Sequence, residues 1–142
     1  MVAAAQQRIL VGIDGSDSSK AALREGAEIA RALDAPLTAV MFWQGPPIYE
    51  GWETVDPNRP PEGTEDVLRS TVAEVFGGEV PEDVSTQLLH GRAAARLVEE
   101  SEDALMLVLG RHGHGGMRRP ALGSVSNACI AHAHCPVLVV RH

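Results

Sequence analysis

The sequence predicts an α/β protein in which helices cover both faces of a parallel β-sheet. Three observations lead to this prediction. Short apolar runs and helical patterns alternate almost without exception along the chain, as right-handed strand–helix–strand crossovers require. Most of these runs are apolar at nearly every position, which is typical of strands buried inside a parallel sheet. At 142 residues the chain suits one hydrophobic core, so we expect a single domain over residues 1–142.

In the first half of the chain, two buried strands flank a long helix. Residues 8–13 (RILVGI) form an apolar run that ends at a turn, and residues 37–42 (LTAVMF) form a second run. Between them, Ser16 or Asp17 can accept a hydrogen bond from the free amides of a helix N-terminus. The apolar positions of this helix recur at helical spacing: Ala22, Leu23, Ala27, Ala30 and Leu33.

The middle of the chain contains a break in this pattern and then resumes it. Residues 43–63 are rich in proline and glycine and show no periodicity, so we predict a long loop. Thr64 is a suitable N-cap for a helix that ends at Gly77. Residues 84–89 (VSTQLL) alternate in polarity, which predicts an exposed edge strand, and a helix follows at about residues 92–101.

The last third of the chain contains two apolar strands separated by a glycine-rich segment and a helix. Residues 105–109 (LMLVL) predict a fully buried strand, and residues 137–140 (VLVV) predict the last strand. The short helix before the last strand has one face formed by Val125, Ala128, Cys129 and His132.

Composition argues against two classes of partner. The formal net charge is −7, whereas proteins that bind nucleic acids or membrane surfaces usually present a basic face. The sequence has no charged leader segment and no run of about 18 apolar residues, so we predict a cytoplasmic protein. This acidic sequence contains one local cluster of basic residues, formed by Arg111, Arg118 and Arg119. We therefore expect no nucleic acid and no membrane partner.

Residues 110–124 combine five glycines with three arginines and two histidines. Ligands of open parallel sheets bind at the carboxyl ends of strands, where the strand order reverses. Gly110 and Gly113 allow backbone N–H groups to approach an anion closely. Gly123 and Ser124 open a helix whose N-terminus attracts negative charge. Neither a Walker A motif nor a GxGxxG motif is present, so the residues alone leave open both a phosphate-binding loop and a flexible surface loop.

The spacing of these residues resembles the ATP-binding signature of the universal stress protein family. The signature lies between a buried strand and a helix. It consists of Gly110, a spacer of two residues, Gly113, a spacer of nine residues, and Gly123-Ser124. Residues 9–16 (ILVGIDGS) resemble the family's first strand and its aspartate, and residues 123–126 and 135–140 resemble its C-terminal unit. The resemblance implies a Rossmann-like domain whose five-stranded parallel sheet has the strand order 3-2-1-4-5.

The resemblance also implies a site for ATP. Asp14 would hydrogen-bond the ribose or help to hold Mg²⁺ or Mn²⁺ on the phosphates. The adenine would face the backbone of Ile13 and Phe42. The ribose and phosphates would be lined by Gly110, His112 and Gly113. Phosphate would also be bound at the start of the last helix by Gly123, Ser124, Val125 and Ser126.

Several of these residues also have simpler interpretations. Asp14 can cap the first turn instead of binding a ligand. The aromatic residues Trp43, Tyr49 and Trp52 either cover the nucleotide base or anchor the 43–63 loop, and we favour anchoring. Arg111 departs from the small hydroxyl residue that the family often has at this position, which leaves the nucleotide preference open.

Two histidine-containing groups suggest a metal site, which we do not expect. His112 and His114 lie on an irregular glycine loop, where solvent or phosphate is the simpler neighbour. Zinc would require four ligands from one tight segment that ends a helix and begins a strand, which would strain the chain. That segment supplies Cys129, His132, His134 and Cys135.

The last strand predicts how the protein assembles. An apolar strand at the edge of a sheet favours pairing with the same strand of a second copy, and the resemblance implies the same homodimer through residues 137–140. We therefore predict an ATP-binding regulatory homodimer that acts in a stress response on a protein partner, with little or no hydrolysis. The alternatives are a metal-assisted nucleotide hydrolase, and a family member that binds cyclic AMP or no nucleotide.

Overall fold

The structure, a computed structural model, describes residues 7–44, 59–111 and 123–141. Over these residues, strands and helices alternate along the chain. The elements are β1 (Arg8–Gly12), α1 (Asp17–Leu33), β2 (Leu37–Trp43), α2 (Thr64–Phe76), β3 (Val84–His90), α3 (Ala93–Glu100), a 3₁₀ turn (Ser101–Asp103), β4 (Ala104–Gly110), α4 (Ser124–His132) and β5 (Val137–Val140). No helix in these ranges is long and apolar enough to cross a membrane.

The five strands form one sheet with the order β3-β2-β1-β4-β5, and every pair of neighbours is parallel. This confirms the expected fold class and strand order. The chain leaves β1 toward β2 on one side, and it leaves β4 toward β5 on the other. The carboxyl ends of β1 and β4 therefore flank the point where the strand order reverses, which is where such sheets bind ligands.

Helices pack on both faces of the sheet because successive strand residues point to opposite sides. On one face, Ile9 and Val11 of β1 pack with Leu23 of α1 and Val72 of α2. On the other face, the buried residues include Leu10 and Leu107 from the sheet, Leu97 from α3 and Cys129 from α4. Each fully buried leucine of this kind contributes about 1.5–3 kcal/mol by leaving water, so these two layers hold the sheet rigid beneath its carboxyl edge.

The element boundaries differ from the sequence prediction by a residue or two. β1 ends at Gly12 rather than at residue 13, whereas β2 and β4 extend to Trp43 and Gly110. Thr64 is the first helical residue of α2 and Gly63 is its N-cap, so Thr64 is not the cap we expected. Leu33 was predicted to lie on the apolar face of α1 but is 55% exposed, because it is the last residue before the left-handed C-cap Asp34 turns the chain away.

The two edge strands of the sheet differ in character. β3 exposes Ser85, Thr86 and Gln87, which confirms the prediction of an exposed polar edge strand. β5 consists of four apolar residues that are all half-buried. The apolar edge therefore lies beside β4, and the polar edge lies at the opposite side of the sheet.

Candidate functional site

The turn that follows β1 is held by a compact hydrogen-bond network around Asp14. Asp14 Oδ1 accepts hydrogen bonds from the backbone N–H of Ser16 at 2.9 Å and from the Ser16 hydroxyl at 2.5 Å. The Ser16 hydroxyl oxygen in turn accepts from the N–H of Ser19 at 3.1 Å, so Ser16 is the N-cap of α1. Asp14 thus has the turn-stabilising role that the sequence left open, and this network fixes its carboxylate at the carboxyl end of β1.

Gly110 brings the end of β4 into direct contact with the first turn of α1. A Cβ atom at this position would lie 2.6 Å from the carbonyl oxygen of Ser18 and 2.7 Å from its carbonyl carbon, and it would also collide with the Ser18 hydroxyl. No larger side chain fits without moving helix backbone. Gly110 is therefore required for close packing of β4 against α1, a reason that differs from the anion approach expected from the sequence.

The N-terminus of α4 lies directly above the end of β4. The N–H of Gly123 donates to the carbonyl oxygen of Arg111 at 3.0 Å, which ties the N-cap of α4 to the first residue after the strand. The first intrahelical hydrogen bond runs from Asn127 N to Gly123 O at 3.0 Å. Gly123 has no side chain to cap the helix, and the first turn contains no acidic residue. Among the described residues, no side chain caps this turn, and a helix N-terminus of this kind attracts anions.

The two serines of this turn have different surroundings. Ser126 is buried, and its hydroxyl donates to the carbonyl oxygen of Gly110 at 2.9 Å. Ser124 is exposed at the first helical position. Between them, Val125 packs against the core on the α3/α4 face. Ser126 therefore has a structural bond to the strand, whereas Ser124 presents its hydroxyl to solvent.

The structure brings Asp14, Gly110 and the α4 N-terminus to the same switch point. Ile13 is buried next to Asp14, and its N–H donates to Val40 O at 2.8 Å. Phe42 is half-buried near the end of β2. Residues 45–58 of the predicted 43–63 loop lie outside the described ranges. Seven residues named from the sequence also lie outside them: Tyr49, Trp52, His112, Gly113, His114, Arg118 and Arg119.

The cysteine and histidine segment near the C-terminus has the character of core packing. Cys129 is fully buried, and this burial raises the pKa of its thiol to about 11. Burial also raises the pKa of Cys135, which packs against the same apolar cluster, while His132 is exposed. Within the described ranges, no three His, Cys, Asp or Glu side chains are placed to hold a metal ion.

Sequence reasoning missed one feature of the carboxyl edge, a stacked pair of rings. Trp43 at the end of β2 and His90 at the end of β3 are direct partners in the strand register. Their ring centroids are 4.2 Å apart, with planes inclined by 26°. The prediction that β2 ended at residue 42 placed Trp43 in the loop, so the pairing was not visible. The strand register is the signal that identifies it.

A doubly wound parallel sheet with a carboxylate turn and an open helix N-terminus at its switch point defines a Rossmann-like α/β protein with one candidate ligand site. A family model described as the universal stress protein family matches residues 6–141. The chain therefore belongs to the universal stress protein family.

Curated relatives agree with this assignment. The chain is 34% identical over 143 residues to a universal stress protein of Methanocaldococcus jannaschii, with 95% of this chain and 82% of that protein covered. It is 33% identical over 145 residues to a universal stress protein of Mycobacterium tuberculosis, covering 96% of this chain and 48% of that protein. The chain thus spans about half the length of this mycobacterial relative.

Solved structures share the fold. The universal stress protein UspA from Lactobacillus plantarum superimposes with a TM-score of 0.76 at 26% identity, covering 96% of this chain and 98% of that one. A universal stress protein in complex with cAMP gives a TM-score of 0.67 at 24% identity, covering 95% and 96%. One from Archaeoglobus fulgidus in complex with dAMP gives 0.66 at 22% identity, covering 94% and 96%. At these last two identities the likeness concerns the fold.

Proposed function

We propose that this chain is an adenine-nucleotide-binding regulatory protein of the stress response, and that ATP is its ligand. The observation that supports this most directly is the hydrogen bond between Gly123 N and Arg111 O. It joins the end of β4 to a helix N-terminus without a side-chain cap, at the switch point where Asp14 also lies. A polyanion with a ribose group matches this combination of a helix N-terminus without a side-chain cap and a carboxylate.

The proposed contacts follow from the position of each group. The phosphates would accept hydrogen bonds from the first-turn N–H groups of α4 and from the exposed Ser124 hydroxyl. Asp14 would accept a hydrogen bond from the ribose or provide one oxygen to Mg²⁺ or Mn²⁺ on the phosphates. The base would lie on the β2 side, near Ile13 and Phe42. His112 and Gly113 are proposed to complete the phosphate side.

Nucleotides bound to related structures support the proposal at the level of ligand class. The relatives named above were captured with cAMP and with dAMP, both adenine nucleotides with a single phosphate. Calorimetric titration with ATP, AMP and cyclic AMP therefore tests both the class and the phosphate number. We expect ATP to bind most tightly, because several N–H donors and a metal ion favour a longer phosphate chain. Tighter binding of cyclic AMP would assign the chain to the cyclic-nucleotide alternative.

The role of Asp14 is testable without disturbing the turn. Asp14→Asn keeps an Oδ1 acceptor for Ser16 but removes the negative charge. A charged hydrogen bond contributes about 1.5–3 kcal/mol, so we expect ATP affinity to fall by roughly tenfold or more. Thermal stability should fall only slightly, because Asn still accepts both Ser16 bonds, though more weakly than a carboxylate does. The control is Asp17→Asn, an exposed carboxylate in the same helix turn, which should leave affinity unchanged. Equal affinities for wild type and Asp14→Asn would remove Asp14 from the site.

We propose that the protein uses bound ATP to regulate a partner protein and does not hydrolyse it at an enzymatic rate. The chain would act in the cytoplasm, where its nucleotide state would bias contact with a protein partner. Hydrolysis, if measured under multiple-turnover conditions, should lie far below the ~1 s⁻¹ that marks the lower end of typical enzymes. Turnover near that rate that is lost in His114→Ala would support the hydrolase alternative instead.

We also propose a homodimer through β5 (Val137–Val140). Its four apolar residues are half-buried at the sheet edge, and a second copy related by two-fold symmetry would cover them. Val139→Arg should give a monomer in light scattering at micromolar concentration. The matched control is Thr86→Arg on the polar edge strand β3, which should remain dimeric. A monomeric wild type, or a dimeric Val139→Arg, would contradict this assembly.

A further inference from the structure

The strands β2 and β3 project beyond β1 at the carboxyl edge of the sheet. The N–H of Ile13, the residue after β1, donates to the carbonyl oxygen of Val40 at 2.8 Å, so β1 ends level with the middle of β2. By the same register Ile13 lies opposite Met41, and beyond it β2 continues through Phe42 and Trp43, each paired with a residue of β3. At ~3.3 Å per residue, these two residues form a wall about 7 Å high beside the open end of β1.

The upper end of this wall is fixed in place. The N–H of Gly91 donates to the carbonyl oxygen of Trp43 at 2.8 Å, which closes the ladder just above the Trp43–His90 stack. Gly91 has a φ of +134°, and a Cβ there would lie 2.8 Å from Cγ of Arg96. The chain after His90 is thus confined by the Arg96 side chain on one side and by the Trp43 carbonyl on the other. The stack is therefore held before any ligand arrives.

The geometry of the stack determines which face of the indole is available. Because the strand order is β3-β2-β1, His90 covers Trp43 from the β3 side, and the opposite indole face is turned toward β1. β1 has already ended there: Ile13 is its last residue bonded to β2, and among the described residues none of β1 is paired opposite Trp43. Neighbouring strands lie about 4.8 Å apart, which is enough for a flat aromatic ring to add a third layer to a stack spaced at 4.2 Å.

We propose that Trp43, positioned by His90, is the stacking platform for the base of the bound nucleotide. This inference rests on the proposed function and deepens it by assigning the ligand class. Stacking depends on ring area and not on the hydrogen-bonding edge of the base. The site therefore favours purine over pyrimidine nucleotides, and it distinguishes ATP from CTP more strongly than ATP from GTP. Trp43 contacts the base, while His90 acts through Trp43.

Fluorescence and affinity test the platform together. In a Trp52→Phe background, Trp43 is the remaining tryptophan of the chain. ATP should quench its emission in a saturable way, whereas tripolyphosphate, which has no base, should not. Trp43→Leu should lower ATP affinity by about 5- to 100-fold, the range that loss of one base–aromatic stack corresponds to. The same variant should leave tripolyphosphate affinity unchanged.

Two further variants separate stacking from folding. Trp43→Phe keeps an aromatic face and should retain most of the ATP affinity, even if Trp43→Leu disturbs the strand end. Phe76→Leu removes a partly buried aromatic ring of α2 at the amino end of the sheet, near the first residues of β2 and β3. It should lower stability without changing ATP affinity.

The role of His90 is tested by rescue. His90→Ala should weaken ATP binding and quenching, and His90→Phe should restore both, because a phenyl ring rebuilds the stack. If wild type binds neither ATP nor tripolyphosphate, the proposed function fails and the platform fails with it. If ATP binds with equal affinity to wild type and Trp43→Leu, without quenching Trp43, the nucleotide site stands and the platform is wrong.

Discussion

The N-termini of α1 and α4 flank the same switch point but are capped in different ways. At α1, the Ser16 hydroxyl caps the N–H of Ser19, the adjacent Asp14 carboxylate binds Ser16, and Asp17 supplies a negative charge in the first turn. At α4, the cap is Gly123, without a side-chain acceptor and without an acidic residue in the first turn. Within the described residues, one helix end is capped by side chains of the protein itself, and the other has no side-chain cap.

This difference indicates which end serves the fold and which serves a ligand. Relative to a side-chain cap, glycine at the N-cap costs a few tenths of a kcal/mol, and a first-turn acid would add about 0.3–1 kcal/mol, so the sequence of α4 forgoes a small stabilisation that α1 has. The α3 helix also begins without a side-chain cap, at Arg92, but it follows the edge strand β3 and lies away from the switch point. Only the α4 end combines an open N-terminus with the place where ligands of this fold bind, among the helix ends described.

The largest effect is expected at Gly110, where the two regions meet. Gly110→Ala should lower the free energy of unfolding by about 3 kcal/mol, because its Cβ collides with the Ser18 backbone. Urea unfolding measures this loss. Ser18→Ala in the Gly110→Ala background should recover only part of it, since the carbonyl group remains in the way. Gly12→Ala is the control on the neighbouring strand: its Cβ would meet only the movable ends of Leu109 and Leu97, and it should cost about 1 kcal/mol. A Gly110→Ala loss below that of Gly12→Ala would contradict the close contact.

Ser126 should prove structural although it belongs to the proposed binding turn. Ser126→Ala leaves the carbonyl oxygen of Gly110 without this donor and should lower stability by about 1–2 kcal/mol in urea unfolding. The matched variant Ser124→Ala, on the exposed position of the same turn, should change stability by less than about 0.5 kcal/mol. If both variants lost the same stability, the division of the two serines would be wrong.

The saturated end of α1 gives a smaller effect. Ser16→Ala removes the N-cap and the hydroxyl partner of Asp14, and thermal unfolding should show a loss of about 1 kcal/mol. Ser16→Thr keeps the hydroxyl and should retain most of the stability. Equal losses in the two variants would show that the hydroxyl is not the stabilising group.

Most of the fold could be predicted from the sequence because four of the five strands are apolar runs, α1 has a side-chain cap and α2 ends at a glycine. The alternating pattern of 84–89 predicted the polar edge strand, and the glycine after α2 correctly marked its end. The errors fell at element ends, such as Gly63 in place of Thr64, where the backbone conformation of one residue decides the boundary. Leu33 was misplaced because helical spacing indicates a face but not where the neighbouring layer ends.

Less of the candidate site could be predicted. The resemblance predicted Asp14 and Gly123 as site residues, and this stays a prediction. The contact of Gly110 with Ser18 depends on how closely β4 approaches α1, which no sequence pattern encodes. The bond from Ser126 to Gly110 likewise joins residues 16 positions apart. The Trp43–His90 stack required the register between β2 and β3, since the two residues lie 47 positions apart in the chain.

A carboxylate placed at the open end of α4 tests the central claim most directly. Ser124→Glu should stabilise the helix by about 0.3–1 kcal/mol, because a negative charge near an N-terminus is favourable. The same charge should repel and replace the phosphates, so ATP affinity measured by calorimetry at low salt should fall by at least about tenfold.

Two controls isolate the cause, since Ser124→Gln has similar size without the charge and Ala131→Glu places the charge at the exposed far end of α4. Both should bind ATP within about twofold to threefold of wild type, under 0.7 kcal/mol. A more stable Ser124→Glu protein with greatly weakened ATP binding is the predicted result. Unchanged ATP affinity in Ser124→Glu would contradict the assignment of the α4 N-terminus as the phosphate site.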